Sequence, residues 1–377
     1  MKIGIDARML GEEQTGIGLY IQNLIENIEI LDTENEYILF LRKGKFSSFE
    51  LESNNFKKVL SDSKWYSFSE QFSFLCQIKK EKVDLMHFPS FNAPIFYSGN
   101  RITTIHDLTP KYFPGHKMNS LLRRIAFWFV FRASIKKSKK IIAVSEYTKK
   151  EILKYYKLNE EKIRVIYQGI PNGNEGSTEL KGEELILMED RFLKKYKLND
   201  PYIFYTGVWR SHKNLVGLIK AFGILKKKHK KDIKLVLGGK EDKFYPEIRQ
   251  TWEDLDLGSE IIRPGFIDKK EMSLFLSNAE LFVLPSFVEG FGFGPLEALS
   301  FETPVVVSSA GAMPEVLGES AVYFNPDDPK DMAEKINQVL EDDILKKTLI
   351  NNGKERLKMY SWVNCAEKTI ETYKNCI

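Results

Sequence analysis

Glu289-Gly290-Phe291-Gly292-Phe293-Gly294-Pro295-Leu296-Glu297 brings a glycine-rich loop, a helix start and two carboxylates to one point of the chain. The preceding apolar run, residues 279–285, reads as a short buried strand. Residues 296–301 read as a helix with Pro295 at its first position, where the missing N–H costs nothing. The loop is thereby placed at a strand's carboxyl end, where open α/β sheets bind ligands. Its glycines let backbone N–H groups approach an anion closely, which predicts a phosphate or sugar cradle. On these residues alone the alternative is a tight turn, with Glu297 merely complementing the helix dipole.

Working outward, strand-like runs at residues 2–6, 37–41, 85–88, 101–105, 140–144 and 163–166 alternate with helical patterns such as 19–31 and 145–156. Alternation of this kind predicts a parallel sheet with helices on both faces. Polar residues 172–181 interrupt the pattern, and a helical stretch then leads to Leu198. The second half repeats the scheme, with strands near Tyr202, Lys234, Ile261 and Leu281 and at 304–307. Asn214 caps a helix over 215–228 whose Leu215, Leu218, Ile219, Phe222 and Leu225 share one face. Helical spacing returns at 331–340, 344–359 and 362–376. The expected architecture is two doubly wound, Rossmann-like domains, residues 1–180 and 199–360, facing each other across a cleft.

A chain of 377 residues exceeds one ordinary core, and 43% hydrophobic with 29% charged residues is the balance of a soluble globular protein. The first strand begins at Lys2 with no charged-then-apolar leader, and no run reaches the roughly 18 apolar residues of a membrane span, so a cytoplasmic protein is expected. Cys76, Cys365 and Cys376 are too scattered for a metal or redox motif. Residues 1–180 hold 27 Lys and Arg against 21 Asp and Glu, and the remainder 29 against 31. That modest basic excess, without a binding motif, argues against nucleic acid. Thr15-Gly16-Ile17-Gly18 precedes a helix, but Ile21 stands where a dinucleotide fingerprint needs its third glycine, so a nicotinamide reading fails.

Two glutamates with seven residues between them, around Gly-Phe-Gly-x-Pro, resemble the signature of the family 4 retaining glycosyltransferases, which have the GT-B fold. The resemblance extends over nearly the whole chain, through Val144-Ser145-Glu146-Tyr147-Thr148, Val165-Ile166-Tyr167-Gln168-Gly169 and Pro304-Val305-Val306. Gln168 departs from the asparagine common there but keeps a side-chain amide. The resemblance implies that the terminal helix, 361–377, completes the first, acceptor-binding domain, and that the second domain binds the nucleotide sugar. It implies a diphosphate bound by Arg210 and Lys213, donor-sugar hydroxyls met by Glu289, and ribose hydroxyls met by Glu297. Backbone groups of Gly290, Phe291, Gly292 and Phe293 would hold the sugar or distal phosphate, and the loop around Phe266 and Ile267 the base. His106, ending a strand, would face the donor sugar, and Gly16 and Gly18 would form an acceptor-side loop. His106, Glu289, Arg210 and Lys213 are thus the expected catalytic set, with no metal and no other cofactor. His87, His116 and His229 read as structural, Asp107 as a loop cap, and His212 stays ambiguous.

His-Asp-Leu-Thr-Pro at 106–110 and Lys-Asn-Leu at 213–215 point to the bacterial mannosyltransferase-like branch that builds surface polysaccharides. The expected donor is GDP-mannose rather than a UDP sugar, and the acceptor a glycan or lipid-linked glycan. With no evident nucleophile beyond Glu289, front-face attack is the expected retaining route. A non-catalytic nucleotide-sugar binder, an epimerase or a phosphorylase of the same fold are the alternatives. Residues 121–140 mix Phe127, Trp128, Phe129, Val130 and Phe131 with seven Lys and Arg. The aromatic run reads first as a core-facing side; the alternative is a helix lying against anionic lipid at the inner face of a membrane.

Overall fold

The computed structural model describes residues 1–11, 15–115, 120–170 and 183–376. Contacts divide it into two compact units, one formed by Met1–Gly169 with Tyr360–Ile377, the other by Ile170–Met359. His116 and residues 172–181 lie outside the described residues.

The first unit is built on seven strands: β1 (Lys2–Asp6), β2 (Glu36–Leu41), β3 (Phe56–Leu60), β4 (Leu85–Phe88), β5 (Arg101–Ile105), β6 (Lys140–Ala143) and β7 (Ile163–Val165). They run parallel in the order β3-β2-β1-β4-β5-β6-β7. β4 and β5 are buried at every position, as a sheet covered on both faces requires. The winding reverses between β1 and β4, where Ile3 pairs with Tyr37 on one side and Leu85 on the other.

Six parallel strands make the second unit: β8 (Tyr202–Thr206), β9 (Lys234–Gly238), β10 (Ile261–Gly265), β11 (Leu281–Leu284), β12 (Val305–Ser308) and β13 (Ala321–Phe324). Their order, β10-β9-β8-β11-β12-β13, is that of a doubly wound dinucleotide-type sheet, with its reversal between β8 and β11. Leu281-Phe282-Val283-Leu284 and Val305-Val306-Val307-Ser308 are wholly buried, the near-continuous apolar signature of inner parallel strands.

Two strands carry no clear sequence signal. β3 is a half-exposed edge with lysines at its second and third positions, and β13 spans four residues with two half-buried. The helix Trp362–Lys374 packs on the helix Thr15–Leu31 inside the first unit. There Tyr373 Oη lies 2.7 Å from His87 Nδ1, and His87 Nε2 lies 2.9 Å from Thr104 Oγ1. Both nitrogens of that fully buried histidine are therefore engaged in structure, and burial pushes it down to about 3.

Candidate active site

The reversal between β8 and β11 brings together the loops that leave their carboxyl ends, the position at which such sheets hold ligands. After β11 the chain runs through Ser286 to Gly292, whose φ of +81° turns it into the helix Phe293–Ser300. That helix opens two residues earlier than the sequence suggests, so Pro295 is its third residue. A proline is tolerated there because first-turn N–H groups have no intrahelical acceptor in any case. Those of Phe293 and Gly294 stand at the helix start, whereas Glu297, expected in the first turn, falls in the second.

The loop after β8 ends in a single turn, Ser211–Lys213, followed by Asn214 at φ +53°. Asn214 Oδ1 accepts from Gly217 N at 3.2 Å and caps the helix Leu215–Lys228, as its sequence position predicts. The same buried amide donates to Pro285 O at 3.1 Å and to Pro326 O at 2.7 Å, and Phe287 N donates to His212 O at 2.8 Å. The two loops are thus stitched together around one ion pair. Lys213 Nζ lies 2.6 Å from Glu289 Oε1, with side chains 17% and 14% exposed.

Burial alone would raise the Glu289 carboxyl. The charge and hydrogen bond of Lys213, with the Ser286 hydroxyl and His212, outweigh it and hold Glu289 below the ordinary carboxylate value. His212 is pushed down to about 4, first by burial and then by Lys213, with Arg210 adding to the effect. It is therefore an uncharged neighbour of the pair at neutral pH. Arg210 is exposed at the rim of the same loop.

Gly265, at φ +79°, opens the turn that carries Phe266 and Ile267. Phe266 is 70% exposed, while Ile267 is buried, with its Cδ1 packed over Gly238. Gly239 N donates to Gly265 O at 2.8 Å, which joins this turn to the end of β9. Phe266 thus stands exposed on the turn, and Ile267 anchors it against the end of β9.

His106 belongs to the first unit, at the end of β5. Its Nε2 lies 2.8 Å from Pro89 O and its Nδ1 3.2 Å from Gln168 Nε2, while Tyr20 meets its ring edge-on at 5.0 Å between centroids. Burial lowers its pKa, against smaller opposing effects of the Pro89 carbonyl and Asp107. Asp107 Oδ1 accepts from Thr109 N at 2.7 Å, the loop-cap role. Gly16 and Gly18 lie inside the first turns of the helix Thr15–Leu31 rather than ahead of it. A Cβ on Gly18 would overlap the Gly11 carbonyl oxygen and approach that of Met9 to 2.8 Å, so close backbone packing dictates glycine there.

The structure therefore joins Lys213, Glu289 and the Gly290–Phe293 turn in one place, with His106 and the Gly16/Gly18 turn in the other unit. Sequence reasoning missed Gly311, which at φ +67° lies against the backbone of Glu289, and the second task of Asn214. The unusual Gln168 was the one signal pointing to a partner for His106.

With this geometry in place, comparison with known proteins is informative. Residues 16–172 match the family description "Glycosyltransferase Family 4", and residues 188–356 match "Glycosyl transferases group 1". O-antigen chain mannosyltransferase B of Escherichia coli is 25% identical over 401 aligned positions, covering 99% of this chain and 100% of that protein. O-antigen chain mannosyltransferase RfbU of Salmonella typhimurium is 29% identical, covering 73% and 70%. Among solved structures, Anabaena HepE in complex with UDP and glucose superposes with a TM-score of 0.76 at 18% identity, each chain covered in full. WaaG, a glycosyltransferase involved in lipopolysaccharide biosynthesis, gives 0.70 at 13%, with 98% of each chain covered.

Proposed function

Because the chain belongs to the family 4 glycosyltransferases and has their GT-B fold, we propose that it transfers mannose from GDP-mannose to a glycan or lipid-linked glycan acceptor during assembly of a surface polysaccharide. Transfer retains anomeric configuration and needs no metal. The observation that carries this reading is the Lys213–Glu289 pair at the reversal point of the second sheet, beside a glycine turn and a helix start. The names of the mannosyltransferase relatives, one aligned over almost the whole chain, favour mannose.

Breaking an anomeric bond to a nucleoside diphosphate develops charge on the leaving phosphate, which preorganised cations and N–H dipoles stabilise. Lys213 and Arg210 supply the cations, and the backbone of Gly290, Phe291, Gly292 and Phe293 the dipoles. A diphosphate that draws Lys213 away releases Glu289 to accept from sugar hydroxyls, so donor binding arms the carboxylate. Glu297 accepts from ribose hydroxyls, Phe266 and Ile267 border the base, and His106 contacts the donor sugar. Gly16 and Gly18 belong to the acceptor side. In front-face attack the acceptor hydroxyl gives its proton to the departing phosphate oxygen, so no enzyme nucleophile is consumed.

EDTA-treated protein should be stabilised by GDP-mannose and not by UDP-glucose, UDP-N-acetylglucosamine or dTDP-rhamnose. At a hundred times its dissociation constant the ligand adds about 2.7 kcal/mol, and Glu297→Ala should abolish the shift. Stabilisation by a UDP sugar alone would reject the donor assignment. Chromatography of products then separates transfer to a glycan from release of free sugar or sugar phosphate.

The helix Leu121–Lys137 supports contact with a membrane surface. Phe127, Trp128 and Phe131 do pack inward, as the first reading of the aromatic run has it. Leu121, Leu122, Ile125 and Phe129 are instead 57–78% exposed, beside exposed Arg123 and Arg124. Among the described residues no helix is long and apolar enough to cross a membrane. The contact proposed is peripheral, with this helix lying against the inner face. The protein should float with anionic liposomes and not with zwitterionic ones, and Leu122→Glu with Phe129→Glu should keep it in the pellet. Equal flotation of that variant would remove the helix from the proposal.

A further inference from the structure

Pro89 O is a backbone carbonyl and can only accept, so the 2.8 Å contact places a proton on His106 Nε2. In the neutral ring Nδ1 is then an acceptor, and the Gln168 group 3.2 Å from it must be the NH2 end of the amide. Gln168 is 1% exposed, and in this orientation its Oε1 is buried without a partner. Turning the amide over would set two acceptors against each other. The unpaired oxygen is thus the cost of presenting a donor to the histidine.

The next residue, Gly169, is packed so tightly that a Cβ would overlap the backbone nitrogen of Trp362. Gln168 therefore hangs from a backbone with little freedom to shift. Opposite it, Thr148 Oγ1 donates to His106 O at 3.2 Å. The ionisable groups around the ring are Tyr20 from the helix Thr15–Leu31, His87 from β4 and Asp107 from its own loop. Burial holds Tyr20 un-ionised and His87 neutral, and Asp107 is turned to Thr109 N. None of them supplies Nδ1 with a donor.

We propose that Gln168 is the positioning residue of His106, clamping its ring between amide and Pro89 carbonyl and holding it as the neutral Nε2–H tautomer. The clamp opposes protonation, because an imidazolium would set its Nδ1–H against the amide NH2. A sugar hydroxyl can reach Nδ1 by displacing the amide, a side chain, more readily than it can reach Nε2 by displacing backbone. His106 thereby meets its ligand as an acceptor, not as an acid. This last step rests on the proposed sugar-contacting role of His106; the clamp itself does not.

The test is nitrogen NMR of the full chain labelled at histidine, with His106 assigned by its absence in His106→Gln, recorded from pH 5 to 9. Wild type should show the Nε2–H tautomer throughout the neutral range. Gln168→Glu gives Nδ1–H an acceptor and should move the His106 titration upward by about 1 to 2 pH units. Gln168→Leu removes the donor and should move it in the same direction by less, which keeps the question answerable if the glutamate variant does not fold. An unmoved titration in the folded variants, or an Nδ1–H tautomer in wild type, would overturn the inference. In transfer assays the acidic limb of kcat/KM should follow the same shift in Gln168→Glu. A shifted titration with an unchanged kcat/KM profile would uphold the clamp and exclude His106 from the reaction.

Discussion

Glu289→Gln is expected to lower kcat/KM for glycosyl transfer by about 10²- to 10³-fold, the usual effect of removing one preorganised polar contact from a transition state. The substitution keeps the shape of the side chain and removes its charge. Lys213, 2.6 Å away and largely buried, then loses its counter-ion and binds the diphosphate more freely, so the loss should appear in kcat rather than KM. A double-mutant cycle with Lys213→Met should give a coupling of about 1–3 kcal/mol, as expected for charges in direct contact. The pH dependence has a definite sign. Because the folded-state pKa of Glu289 is depressed, the pair's stabilisation is complete above the ordinary carboxylate value and is lost only as pH falls through the lower one. Neither Glu289 nor His212, at about 4, should produce a step in the rate between pH 6 and 8. Activity of Glu289→Gln within threefold of wild type would place the chemistry elsewhere.

Gly311→Ala should cost about a hundredfold in kcat/KM with the fold retained. A Cβ there would lie 2.7 Å from both the nitrogen and the oxygen of Glu289, atoms of the backbone that cannot swing aside. Ala312 N also donates to Glu289 O at 3.0 Å, so the two segments cannot separate without losing that bond. The positive φ at Gly311 adds about 1–2 kcal/mol of strain for an alanine. Relief requires the Glu289 turn to move by a fraction of an ångström to an ångström, a misplacement known to cost about 10²-fold in rate. Gly44→Ala, which meets nothing within 4 Å, should leave activity unchanged and serves as the control. A Gly311→Ala enzyme of normal rate would mean that the turn tolerates displacement and that its geometry does not limit catalysis.

The inner strands and the loops after β8 and β11 were legible because burial on both faces leaves continuous apolar runs, and glycine, proline and asparagine punctuate their ends. Edge strands β3 and β13 were not, since half-exposed residues of mixed polarity carry no strong period. Family position assigns Lys213 to the diphosphate and Glu289 to the donor sugar, but nothing in local sequence announces a bond between them across 76 positions. Gly311 and the second task of Asn214 belong to the same class, because each acts on backbone far along the chain. Position 121 onward was read correctly as aromatic and basic. Which of its apolar side chains pack inward and which stay exposed is set by tertiary neighbours, and composition does not encode that.

The first unit is not a continuous stretch of chain, and this governs the order in which it can be made. During synthesis, seven strands and the helix Thr15–Leu31 emerge before the second unit, yet the helix Trp362–Lys374 that packs on Thr15–Leu31 follows it. Until Tyr373 arrives, His87 lacks one of its two partners and Thr15–Leu31 lacks the helix packed on it. A chain cut short before Tyr360 would therefore carry a finished nucleotide-type sheet behind an unfinished leading half, and damage at the extreme carboxyl end would be felt first among the earliest residues.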